Sequence, residues 1–127
     1  MEKFLENFIV MTKEINFKNN FGMQGNFECH PKVTKGVGIV NDVNNKYVVE
    51  MIAEVKNTQE HPFPMDITIT LTGFFTFNGG QHEEIVKWLE FEGAKMLYPH
   101  LITKVSEITE SAMGSPLKLS SNFPFKQ

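Results

Sequence analysis

From Met65 to Phe77 the odd positions are Met65, Ile67, Ile69, Leu71, Gly73, Phe75 and Phe77, while the even ones are mainly Asp66, Thr68, Thr70, Thr72 and Thr76. A period of two is that of a β-strand with one dry face and one wet face. The dry face has to be covered by a second layer of structure. Phe74 alone breaks the pattern, standing on the wet, threonine-rich side. Lys46 to Lys56 alternates in the same way, with Tyr47, Val49, Met51, Ala53 and Val55 opposed to Glu50, Glu54 and Lys56. Between the two runs His61-Pro62-Phe63-Pro64 breaks any strand, so a hairpin is expected. Phe8 to Phe17 and Val33 to Val40 supply two further strands, the second closed by a turn at Asn44-Asn45. Gly36-x-Gly38 lacks the third glycine and the helix of a phosphate loop and is read as a bulge or a close backbone contact.

Helices are expected to provide the cover. Tyr98 to Met113 places Leu101, Ile102, Val105, Ile108 and Ala112 along one side, with Lys104, Glu107, Glu110 and Ser111 opposite. Pro99 suits the first helical turn, and Gly114 with Pro116 ends the helix. An earlier helical stretch is expected from Gln81 to Met96, with Ile85, Trp88, Leu89 and Leu97 as its apolar line and Gly93 weakening its middle. Its acids Glu83, Glu84, Glu90 and Glu92 read as a solvated face. Lys18 to Lys32 is read as a long crossing loop that carries Phe21 and Phe27. The expected fold is therefore α+β: a four-stranded antiparallel sheet with helices packed on one face, in one domain spanning residues 1–127. Its apolar sides outnumber the surfaces one subunit can pair, which points to a symmetric oligomer.

The 127 residues carry a net charge of −3 and no basic stripe, so nucleic acid is not expected as a partner. The start, Met1-Glu2-Lys3-Phe4-Leu5-Glu6, is broken by acids where a signal peptide needs an apolar run, and the purely apolar run from Phe8 to Met11 is too short to span a membrane. One cysteine, Cys29, excludes an internal disulfide. A cytoplasmic protein is expected.

No side-chain set declares chemistry. His30, His61, His82 and His100 lie in different segments without metal-ligand spacing, so no metal is expected, and no cofactor either. Cys29 and His30 are sequence neighbours, which rarely reach the geometry of a nucleophile and its base. An enzyme that wraps a sheet round a helix, such as a thioester hydrolase, needs an acid aimed into the sheet–helix crevice, and the dry face of Met65 to Phe77 holds none. Catalytic residues are accordingly not expected. The unexplained surplus is apolar: Phe21, Phe27, Phe74, Leu117, Leu119, Phe123 and Phe125 stand outside regular elements or on a polar face. Together with Val37 and Ile39 they are the expected lining of a groove for a polypeptide client.

Several short motifs share an order. Phe8-Ile9-Val10-Met11-Thr12-Lys13-Glu14-Ile15-Asn16-Phe17 is followed by Phe27-Glu28-Cys29-His30-Pro31-Lys32-Val33, then Gly73-Phe74-Phe75, Leu97-Tyr98-Pro99, Gly114-Ser115-Pro116, Leu117-Lys118-Leu119 and Asn122-Phe123. In that order the chain resembles the SecB family of protein-export chaperones over nearly its whole length. The resemblance implies a homotetramer, a dimer of dimers, that holds unfolded or nascent polypeptides without ATP for protein export. Trp88, Tyr98, Leu101 and Val105 are the residues expected at the subunit interface.

Family members also dock on the motor ATPase SecA through an acidic sheet face. Of those acids Glu14 matches and Asp66 is a possible substitute, whereas Lys18 and Ile69 stand where others are expected. The family's lid helix and acidic tail follow the asparagine-phenylalanine step; the sequence stops at Gln127, so a more open groove is expected. SecB-like chaperones also serve toxin–antitoxin pairs, and a dedicated chaperone of one antitoxin, or an adaptor for one folded partner, is the alternative role.

Overall fold

The computed structural model describes residues 1–20, 29–41 and 44–126. After a short 3-10 turn at Glu2–Phe4 come four strands, β1 (Leu5–Asn19), β2 (Lys32–Asn41), β3 (Lys46–Val55) and β4 (Met65–Phe77). They form one antiparallel sheet in the order β1-β4-β3-β2. The limits of β4 are those read from the alternation alone. β1 is longer than expected at both ends because it pairs with β4 from Leu5 opposite Phe77 to Asn19 opposite Met65. The expected loop at 18–32, with Phe21 and Phe27, lies mostly outside the described residues.

β3 and β4 form the expected hairpin. Its connection is tied by side chains: Asp66 Oδ1 accepts the Asn57 N–H at 2.7 Å, Asn57 Oδ1 accepts the Phe63 N–H at 3.2 Å, and Thr58 Oγ1 accepts the His61 N–H at 2.9 Å. Phe63 is thereby turned inward and buried. At the other turn Asn45 takes a positive φ of 52°, a conformation asparagine tolerates.

Three helical pieces run without interruption from His82 to Met113: α1 (His82–Trp88), a π-helical turn (Leu89–Gly93) and α2 (Ala94–Met113). The two separate helices expected from sequence are therefore one, and Pro99 sits six residues into α2 rather than in a first turn. The buried line explains this. Ile85, Leu89, Gly93, Leu97, Leu101, Val105 and Thr109 are all buried and stand four residues apart. On an ideal α-helix a four-residue repeat precesses by about 40° per step. The wider π-turn takes up part of that drift and keeps the line facing the sheet. Gly93, expected to weaken the helix, lets it approach: a Cβ there would lie 2.8 Å from Leu89 Cδ2 and 3.5 Å from Phe75 Cζ.

The core is this line packed on the dry face of β3 and β4, where Tyr47, Val49, Met51, Ile69, Leu71 and Phe75 are almost wholly buried. Trp88 closes one end, edge-on to Phe75 and Phe77 at centroid distances of 6.2 and 5.9 Å. Gly114, with φ 78°, stops α2 by donating its N–H to Glu110 O at 2.8 Å. Gly36 and Gly38 are regularly paired with Glu50 and Val48, so the expected bulge is not there. The irregularity falls between Ile39 and Asn41. Gly38 does make a close approach, since a Cβ would meet Val48 Cγ2 at 3.1 Å.

Candidate functional site

The helices cover one face of the sheet and leave the other bare. The cross-strand register puts Ile9 and Met11 of β1, Phe74 of β4 and Val48 of β3 on the bare face. A register shift between Thr12 and Glu14 matters here: with one residue extra, both Met11 and Glu14 face outward, opposite Thr72 and Thr70. The bulged Lys13 reaches across β4 to Glu50 of β3, with Nζ 3.0 Å from Oε2. Both ends of that pair are substantially exposed, so it shapes the surface more than it stabilises the fold.

Exposed large apolar side chains gather on this face. Ile9 is 49%, Met11 57%, Val40 56% and Phe74 37% exposed. All four line a depression of about 370 Å³. A second, of about 400 Å³, shares Met11 and Phe74 and adds Val48 and Glu50. A third, of about 340 Å³, shares Val48 and Glu50 and is floored by Gly36 and Gly38, where missing side chains lower the surface. Shared walls join the three into a shallow trough from β1 to β2, apolar at the Phe74 end and mixed at the glycine end. Sequence alternation pointed to Phe74 alone. Ile9 and Met11 were missed because β1 is apolar on both faces, so period two cannot say which side is bare, and Val48 because it stands on the mainly charged face of β3 beside Lys46, Glu50 and Glu54.

The other expected groove residues lie behind the sheet, on the helix side. Val37 and Ile39 face that way from β2, the first half-buried and the second exposed. Leu117, Phe123 and Phe125 are half-buried against the core, and Leu119 is fully within it. The Thr109 hydroxyl accepts the Leu117 N–H at 2.7 Å, and the Tyr98 hydroxyl donates to Ser120 O at 2.7 Å. Phe123 stands edge-on to Phe91 and Tyr98 at 5.4 and 5.6 Å, and Phe125 stands against Phe123 at 5.4 Å. The structure therefore does not bring Phe74 and the residues of 117–125 into one groove; the sheet separates them. Phe21 and Phe27 lie outside the described residues.

Leu119 is corrected from groove to core, because Leu117 and Ser120 on either side are pinned to α2. Tyr98, Leu101 and Val105, expected at a subunit interface, are buried within their own chain and have little surface left to offer a partner. Trp88 keeps a partly exposed edge. Glu14 and Asp66 do lie on the bare face. Asp66 is occupied in part by the Asn57 N–H and stands eight residues along β4 from Phe74, about 26 Å at the usual strand rise.

Polar side chains meet in ways the sequence did not show. The rings of His30 and His61 lie 3.9 Å apart, and His82 Nδ1 is 2.9 Å from the Tyr47 hydroxyl. Among the described residues no three of His, Cys, Asp and Glu converge as metal ligands. Burial pushes the Cys29 thiol above its usual range, which disfavours the thiolate a nucleophile needs. The dry face of β4 holds no acid, but Glu107 of α2 lines a depression of about 280 Å³ with His100 and Thr103. It stands 3.9 Å from Lys104 and is largely exposed. No helix among the described residues is long and apolar enough to cross a membrane.

No protein-family profile matches the sequence, and no curated protein is significantly similar to it. Solved structures do match. A SecB-like chaperone of Mycobacterium tuberculosis, in complex with a ChAD peptide from the antitoxin HigA1, superposes with a TM-score of 0.75 at 12% identity, over 96% of this chain and 91% of that one. A protein of unknown function from Streptococcus agalactiae matches with a TM-score of 0.47 at 13% identity, over 91% and 98% of the two chains. The chain has a SecB-like fold.

Proposed function

We propose that this protein is a SecB-like chaperone that holds unfolded polypeptides without ATP. The observation that carries the reading is the uncovered trough, where Ile9, Met11, Val40 and Phe74 present contiguous apolar surface that the fold leaves in water. Such a patch on an otherwise well-packed protein marks a binding surface. A shallow channel that is apolar at one end and polar at the other suits chains of varied sequence better than one shaped ligand. The bare edge of β2 adds main-chain donors and acceptors that an extended client can pair with, whatever its side chains. The test is aggregation of several unrelated denatured proteins. Stoichiometric protein should suppress it without nucleotide, and failure with all of them would remove the reading.

A dedicated role has a specific observation in its favour, since the SecB-like neighbour was solved with one antitoxin peptide. On that reading the trough takes one partner, an antitoxin or another single protein. Isolation of bound proteins from the native host separates the two: one recurrent partner, with a toxin–antitoxin pair encoded beside the gene, argues for the dedicated role, and many nascent chains argue for the general one. We further propose assembly as a dimer of dimers in the cytoplasm, with the long bare edge of β1 as the pairing edge, and docking of SecA through Glu14 and Asp66. A light-scattering mass four times that of the chain is the expected result for the first. Loss of SecA binding in Glu14→Lys is the expected result for the second.

A further inference from the structure

Among the described residues beyond Gly114 there is neither helix nor strand, and no main-chain N–H of residues 115–126 bonds a main-chain carbonyl. It is held instead by the side chains of Thr109 and Tyr98 and by a run of aromatic contacts. The run ends in a cradle with three walls. Phe91 and Tyr98 of the helix receive the Phe123 ring edge-on. Lys35 of the edge strand β2 lies with Nζ 5.2 Å from the centroid of the Phe125 ring, and the same Nζ donates to the carbonyl of Glu90 in the π-turn. That hydrogen bond holds the cation where an aromatic ring stacks on it. Pro124 keeps Phe123 out of the helical region, and alternate residues of an extended chain fall on one side. The cradle thus holds a segment with the chemistry of an unfolded chain: extended, poor in main-chain hydrogen bonds, and aromatic at every second residue.

We propose that the cradle of Phe91, Tyr98 and Lys35 binds an extended polypeptide segment with two aromatic side chains one residue apart, and that Phe123-Pro124-Phe125 occupies it as a built-in competitor which such a segment displaces. The proposal shares its class of ligand with the polypeptide-holding reading but not its location, since the trough lies on the opposite face of the sheet. Aromatic rings are preferred over aliphatic chains because both the edge-on contacts and the Lys35 contact use the ring quadrupole. Removing the competitor should therefore strengthen binding, the reverse of what is expected if Phe123 and Phe125 were themselves client contacts.

The probe is a fluorescent peptide of the sequence Leu119 to Lys126, beside the same peptide with both phenylalanines replaced by leucine. Binding is followed by anisotropy with the full chain, the Phe123→Ser/Phe125→Ser double variant and the single Phe125→Ser variant, which removes only the outermost ring. Each folded variant should bind the phenylalanine peptide at least tenfold more tightly than the unaltered chain and prefer it at least fivefold over the leucine peptide. Adding Lys35→Met should erase most of that preference. On the unaltered chain, saturating peptide should speed hydrogen exchange at the Leu117 amide, a readout that needs no variant. Unchanged exchange, or a folded Phe125→Ser that binds no more tightly, overturns the proposal. Tight peptide binding without suppression of aggregation would leave the cradle standing and remove the holding function; suppression with no peptide binding would do the opposite.

Discussion

The hydroxyl of Thr109 donates to Val105 O at 2.7 Å and accepts the Leu117 N–H at the same distance, so one fully buried side chain ties the end of α2 to the segment that follows it. Thr109→Val keeps the volume and removes the acceptor. Leaving the Leu117 N–H without a partner should cost about 1–3 kcal/mol. Urea unfolding should show the lower midpoint, and exchange at Leu117 should rise more than at residues of β4.

Gly73 lies on the helix side of β4 against the edges of two stacked rings, Phe8 and Phe75, whose centroids are 4.6 Å apart. A Cβ would stand 3.1 Å from an edge carbon of each and 3.4 Å from Leu97 Cδ1. Valine is the better strand former, yet Gly73→Val should destabilise by about 1–3 kcal/mol, because overpacking outweighs propensity in a closed core. Thermal melting of the two proteins checks the sign.

Burial holds the Tyr98 phenol above its ordinary value near 10. A group whose folded pKa is raised contributes stability that is complete below the unfolded pKa and is lost as pH rises through the folded one. The unaltered chain should thus lose stability from about pH 10 upward more steeply than Tyr98→Phe. At pH 7 the same variant, lacking the bond to Ser120 O, should be less stable by about 1 kcal/mol. Urea midpoints from pH 7 to 11 give both comparisons.

Phe74 is the trough's central ring and contributes little to the core. Phe74→Ser should leave the fold intact at a cost of about 1 kcal/mol. Affinity for a denatured client should fall about fivefold or more, equivalent to about 1 kcal/mol. Equal binding by both proteins would move the client surface away from the bare face.

Cys29 is half-buried, and desolvation pushes its thiol pKa upward. Its reaction with a thiol reagent at pH 8 should be slower than that of free cysteine, and should approach it in urea. Equal rates in the folded and unfolded chain would contradict the burial.

The alternations of Met65–Phe77 and Lys46–Lys56 determined two central strands, their hairpin and the side a helix must cover, because a strand's period is local and its dry face is written residue by residue. The exposed Phe74 was legible for the same reason. Tertiary contact decided what period could not. Gly93 read locally as a weak point and Pro99 as the first turn of a new helix, yet the four-residue line from Ile85 to Thr109 gains enough by burial on the sheet for one helix to pass both with one π-turn. β1 is apolar on both sides, so only its pairing with β4 and the bulge at Lys13 turned Ile9 and Met11 outward. The fate of residues 117–125 depended on where Thr109, Tyr98 and Lys35 wait for them. Thr109 and Tyr98 lie on α2 and Lys35 on β2, and no pattern along the chain reports how close residues 117–125 come to them.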